Sequence, residues 1–138
     1  MSVLIPPEIA ALNDVIQAMW HAARAMRETA EIDGISNPAR FKEKADGLSG
    51  LADRLCDLVR DLGHTPRAEP TVEEREVLEN AWVELRGGLT GDPVPAAEAR
   101  CTEAERRLTE AAKDALSEET LPALAMDLLR PIANGTYC

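Results

Sequence analysis

Two imidazoles, His21 and His64, are the only ones in the chain, and the residue three places before each decides what chemistry it could share. A two-metal centre inside a helical bundle is built from inward carboxylates and Glu-x-x-His pairs, because residues three apart lie on one face of a helix. Ala18 stands three before His21, so no pair forms there. Asp61 stands three before His64, but Gly63 lies between them and is expected to end the helix first. No metal-ligand set, cofactor or catalytic residue is assigned on this basis. His21 also resembles, loosely, the phosphoryl-accepting histidine of phosphotransfer domains. Those domains want a small residue and a lysine soon after it, and here Ala22, Ala23 and Arg24 follow. More plainly, His21 is expected to be a solvated histidine on the side of its helix away from the apolar seam.

Glu98 and Glu105 stand seven apart, each one step after an apolar seam position, Ala97 and Ala104. That spacing makes them boundary residues whose methylenes cover the core while the carboxylates stay wet; a weak single-metal or cation site is the alternative. Trp20 and Trp82 are the only tryptophans. They border helix stripes and serve equally as the rim of a core or as anchors of a protein interface, so Trp20, His21 and Trp82 form the candidate interaction surface. Cys56, Cys101 and Cys138 are odd in number and have no CxxC spacing. This fits a reducing compartment better than a disulfide framework or a zinc site. Cys101 reads as a small buried hydrophobe. There is no glycine-rich phosphate loop, no Ser-His-Asp arrangement and no metalloprotease motif.

The elements that position these residues are helices. Ile5, Ile9, Leu12, Ile16, Met19, Ala23, Met26 and Ala30 follow one another at alternating steps of four and three, which keeps them on one stripe. Phe41, Ala45, Leu48, Ala52, Leu55, Val59 and Leu62 repeat the rhythm, as do Ala97, Cys101, Ala104, Leu108, Ala111 and Ala115. Prolines and glycines punctuate the series, with Ser36 or Asn37 as a cap and Thr71 with Glu74 as a capping box. Gly47 and Gly50 lie inside the second helix, where close helix contact is the expected reason for them. The spacing predicts helices over about 7–33, 38–62, 72–90, 94–117 and 122–133, in a single domain spanning 1–138. No stretch alternates β-branched with polar residues as a strand would. The expected fold is an all-α bundle whose first two helices form an antiparallel pair.

Size and charge limit the function classes. A chain of 138 residues buries about 70% of its unfolded surface without needing disulfides or metals. The formal net charge is −10, and no run of Lys and Arg makes a basic stripe, so neither nucleic acid nor an anionic membrane is an expected partner. The N-terminus lacks the charged start and apolar core of a signal peptide, and no apolar run approaches the ~20 residues that span a bilayer. A cytoplasmic location is expected.

Several segments together resemble a family of small bacterial four-helix-bundle proteins of unknown function within the ferritin-like superfamily. Leu12-Asn13-Asp14-Val15-Ile16 resembles its first-helix opener, and Leu62-Gly63-His64-Thr65-Pro66 its turn after helix 2. Trp82-Val83-Glu84-Leu85 with Leu89-Thr90-Gly91 resembles its third segment, Cys101 and Glu105 its Cys-and-Glu stretch, and Leu121-Pro122 the turn before its last helix. The likeness spans roughly residues 8–130. It implies a ferritin-like four-helix bundle with Thr71 to Gly91 as an additional helical crossover, and it implies no established activity. The chain departs from the family where acidic residues are usual in mid-helix 1: Trp20, His21, Ala22 and Ala23 stand there instead. The expected function is that of a non-catalytic bundle acting through a protein partner or as a homodimer, or associated with stress. The alternatives are iron or manganese binding through Glu98 and Glu105, and phosphotransfer at His21.

Overall fold

Proline stands at the start of every helix in the computed structural model, which describes residues 5–67 and 93–135. Four helices lie in those residues: α1 (Pro7–Ala30), α2 (Pro38–Asp61), α3 (Pro93–Leu116) and α4 (Ala123–Ala133). Pro7, Pro38 and Pro93 open their first turns, and Pro122 caps α4. A first-turn proline lacks an N–H that would have had no helical partner anyway. The expected helix over 72–90, with its capping box and Trp82, lies outside the described residues, as does Cys138.

The helix ends follow glycine. Gly63 adopts φ +85°, a left-handed conformation open to glycine without steric cost. This lets the His64 N–H reach Val59 O at 3.1 Å while the Gly63 N–H reaches Arg60 O at 2.9 Å, the paired bonds of a Schellman stop. Asp61 and His64 therefore share no helical face. One boundary and one cap differ from expectation. α1 ends at Ala30, three residues early, because the Glu31 and Ile32 N–H groups bond to the carbonyls three residues back, at Glu28 and Thr29. Asn37 precedes α2 at φ 53° and its side chain makes no capping bond, so Pro38, rather than a side-chain cap, sets that start.

Side-chain pairings orient the bundle. Arg27 on α1 reaches Ser49 and Asp46 on α2, and the turn between the two helices is short, so they run antiparallel. Arg100 near the start of α3 meets Glu28 near the end of α1. At the opposite end Thr120, just past α3, donates to Glu8 at 2.8 Å. α3 is thus antiparallel to α1 and parallel to α2. α4 turns back along α3 and also touches α2. Among the described residues the fold is all-helical, with no strand, and none of these helices is long and apolar enough to cross a membrane.

The core follows the predicted stripes and widens them. Leu12, Leu48, Leu55, Leu108 and Leu129 are fully buried, each contributing about 1.5–3 kcal/mol relative to exposure. α1 packs against both α2 and α3, so its predicted row is only one of two buried rows. Val15, Ala22, Ala25 and Thr29 form the second. Ile5, placed on the seam by its spacing, precedes the helix and is 60% exposed. Cys56 and Ala112 are buried beyond expectation. Close packing does not account for Gly50: a Cβ built there meets nothing within 4 Å.

Candidate functional site

The second buried row of α1 changes the setting of the candidate residues. Because α3 covers the flank that the seam leaves open, His21 is half-buried between the two helices rather than freely solvated. Burial holds its pKa below the ordinary value of 6.5, and the positive charges of Arg100, Arg107 and Arg24 push it further in the same direction. Burial and the three nearby positive charges thus both favour the neutral form of the ring.

Trp20, one residue earlier, packs against the core while remaining partly exposed. Its indole N–H is buried and has no hydrogen-bond partner among the described residues. One turn on, Arg24 Nε lies 2.8 Å from Glu28 Oε1, and Arg100 of α3 donates to the other oxygen of the same carboxylate. Glu28 is therefore clamped between two guanidiniums, one from its own helix and one from its neighbour. The spacing of Arg24 and Glu28 at i,i+4 is visible in the sequence. Arg100 is 72 positions from Glu28, and no local pattern marks it.

The two candidate carboxylates diverge. Glu98 is exposed, and its backbone carbonyl accepts from the Thr102 hydroxyl at 3.1 Å. Glu105 is two-thirds buried and lies 3.6 Å from the Lys44 ammonium on α2. A cation at Glu105 would compete with the charge of that lysine. Among the described residues no three His, Cys, Asp or Glu side chains converge in a way that could hold a metal ion. Elsewhere on α3, Arg106 joins Glu103 and Glu110, each at 2.6 Å, and Arg107 joins Glu103 at 3.2 Å. Hydrogen bonding to Arg106 draws the Glu103 carboxyl down to about 2. These pairs lie on the exposed face and lace the helix surface.

Thr29 is the one polar residue buried among the described residues. Its hydroxyl donates to Ala25 O at 2.7 Å and meets Cys101 Sγ at 3.1 Å. Burial raises the thiol pKa of both Cys101 and Cys56, which keeps them protonated and poorly nucleophilic.

One end of the bundle differs from the rest. Among the described residues the exposed large hydrophobic ones are Ile5, Leu62 and Leu124, and they precede α1, follow α2 and open α4. In this topology all three positions fall at the same end. The described residues thus define an all-helical bundle with an apolar interior and three exposed apolar side chains placed at one pole. Comparison with protein-family models, with curated proteins and with solved structures found no match.

Proposed function

We propose that this protein is a non-catalytic helical-bundle scaffold of the ferritin-like type that works in the cytoplasm by binding another protein molecule through its surface. The observation that carries this reading is the gathering of Ile5, Leu62 and Leu124 at one end, 60%, 39% and 59% exposed respectively. Apolar residues scattered singly over a surface need no explanation, whereas several gathered at one pole suit an interface. The interior supports it too, since among the described residues the buried side chains are hydrophobic apart from Thr29, whose hydroxyl is already bonded. The parallel course of α2 and α3 supports the ferritin-like assignment. The end of α2 and the start of α3 lie at opposite ends of the bundle, an arrangement compatible with the ferritin-like class of bundle.

The test combines sedimentation with cross-linking in the native host. A stoichiometric complex, with a partner or a second copy, is expected. It should be lost when Ile5, Leu62 and Leu124 are all replaced by serine in a variant whose circular dichroism melt is retained. A monomer with no cross-linked partner would overturn the reading. Stoichiometric iron or manganese in protein purified without chelator, lost in Glu105→Ala, would replace it with a metal-binding one.

A further inference from the structure

Beside the apolar pole, α1 and α3 part to leave an open hollow of about 370 Å³, floored by Pro7, Ala10, Ala11 and Ala111 and rimmed by Asp14, Asp114 and Glu118. The floor is made of small side chains, which leave room for inserted apolar groups. On the same two helices Glu28, Glu103, Glu105 and Glu110 are each paired with a cation, while Glu8 and Glu98, like the rim acids, form no ion pair with any described residue. The carboxylates of Asp14, Asp114 and Glu118 make no ion pair with any described residue. They present negative charge around an apolar floor on a chain of net charge −10.

We infer that this groove, at the end of the bundle that also carries the exposed Leu124 and Ile5, is the docking surface for a basic amphipathic helix of a partner protein. Such a helix lays an apolar stripe into a groove and sets flanking charges against the rim. Lysine or arginine beside that stripe would meet the three carboxylates, and complementary charge chiefly speeds and orients association. A second copy of this chain is the poorer occupant, because it would bring its own ten excess negative charges to an acidic rim. The inference rests on the interaction reading above and adds to it the surface and the chemistry of the partner.

The probe is a synthetic amphipathic helical peptide with leucine along one face and lysine and arginine beside it. Its control has the same leucines with glutamate in place of the basic residues. Titrated into the isotope-labelled protein, the basic peptide should shift the amide signals of Ala10, Ala11, Asp14 and Ala111, and the acidic control should not. Its affinity should fall at least about tenfold in the D14N/D114N/E118Q variant, and again as salt rises from about 0.05 M to 0.5 M and screens the rim. Those acids are exposed or rim positions, and an unchanged melting curve would show that the variant is folded. Equal binding of both peptides, shifts confined to other faces, or self-association through this groove would each overturn the inference. A host partner cross-linked on the Trp20–His21 face would overturn it while leaving the interaction reading standing; a protein with no partner at all would remove both.

Discussion

Thr29 on α1 and Cys101 on α3 meet inside the bundle, with Oγ1 3.1 Å from Sγ. The threonine proton is committed to Ala25 O at 2.7 Å, so the thiol hydrogen is left to donate to the threonine oxygen. Both groups are satisfied without water, and the contact fixes the rotation of α3 against α1 near the end where Glu28 and Arg100 also pair. The protonated state of the sulfur matters to this arrangement, and burial favours that state. Cys101 and Cys56 should therefore resist iodoacetamide in the native protein and react only on unfolding, as read by peptide mass spectrometry with and without denaturant. Rapid native labelling of Cys101 would show that the helix pair opens readily.

Core truncation separates the buried rows from the exposed end. Leu12 and Leu55 are fully buried, and replacing either with alanine should cost about 2 to 5 kcal/mol in urea unfolding. Ile5 belongs to the same four-three series but is exposed. Ile5→Ala should cost less than about 0.5 kcal/mol, as should Asp14→Ala, whose side chain is also at the surface.

Gly50 lies inside α2, exposed, with open space where a Cβ would be. Nothing in the tertiary structure requires glycine there, so Gly50→Ala should raise stability by about 0.4–1 kcal/mol through a less flexible unfolded chain and better helix propensity. Thermal unfolding would read this directly. A destabilised variant would mean that something else packs against this turn of α2.

The pH response of His21 follows from its surroundings. Its folded pKa lies below the ordinary 6.5, through burial first and then Arg100, Arg107 and Arg24. The folded state therefore favours the neutral ring. The stability this contributes is fully present above pH ~6.5 and is lost as pH falls through the folded value. His21→Gln should flatten that part of the stability profile, and the ring should titrate by NMR with a midpoint below that of His21 in the unfolded chain. A midpoint above the unfolded one would show that a carboxylate, not the arginines, dominates the site.

The approximate extent of the four described helices and the antiparallel course of the first two were legible in the residues themselves. The four-three rhythm through Leu12 and Leu55, the prolines at 7 and 38, and Gly63 as a stop all act within one or two turns of chain. Local chemistry of that kind carries its own periodicity. Which flank of each helix is covered depends on neighbours far away in sequence, and only the tertiary structure decided it. Val15, Ala22 and Ala25 carry no signal that marks them as core until α3 is laid along α1, and that placement also half-buries His21. Glu28 and Arg100 are 72 positions apart, as are Thr29 and Cys101. Asp14 and Asp114 reach one groove only because α3 runs back along α1. Periodicity reports a face; packing chooses what that face meets, because the free energy of burial is set by contacts between segments rather than within them.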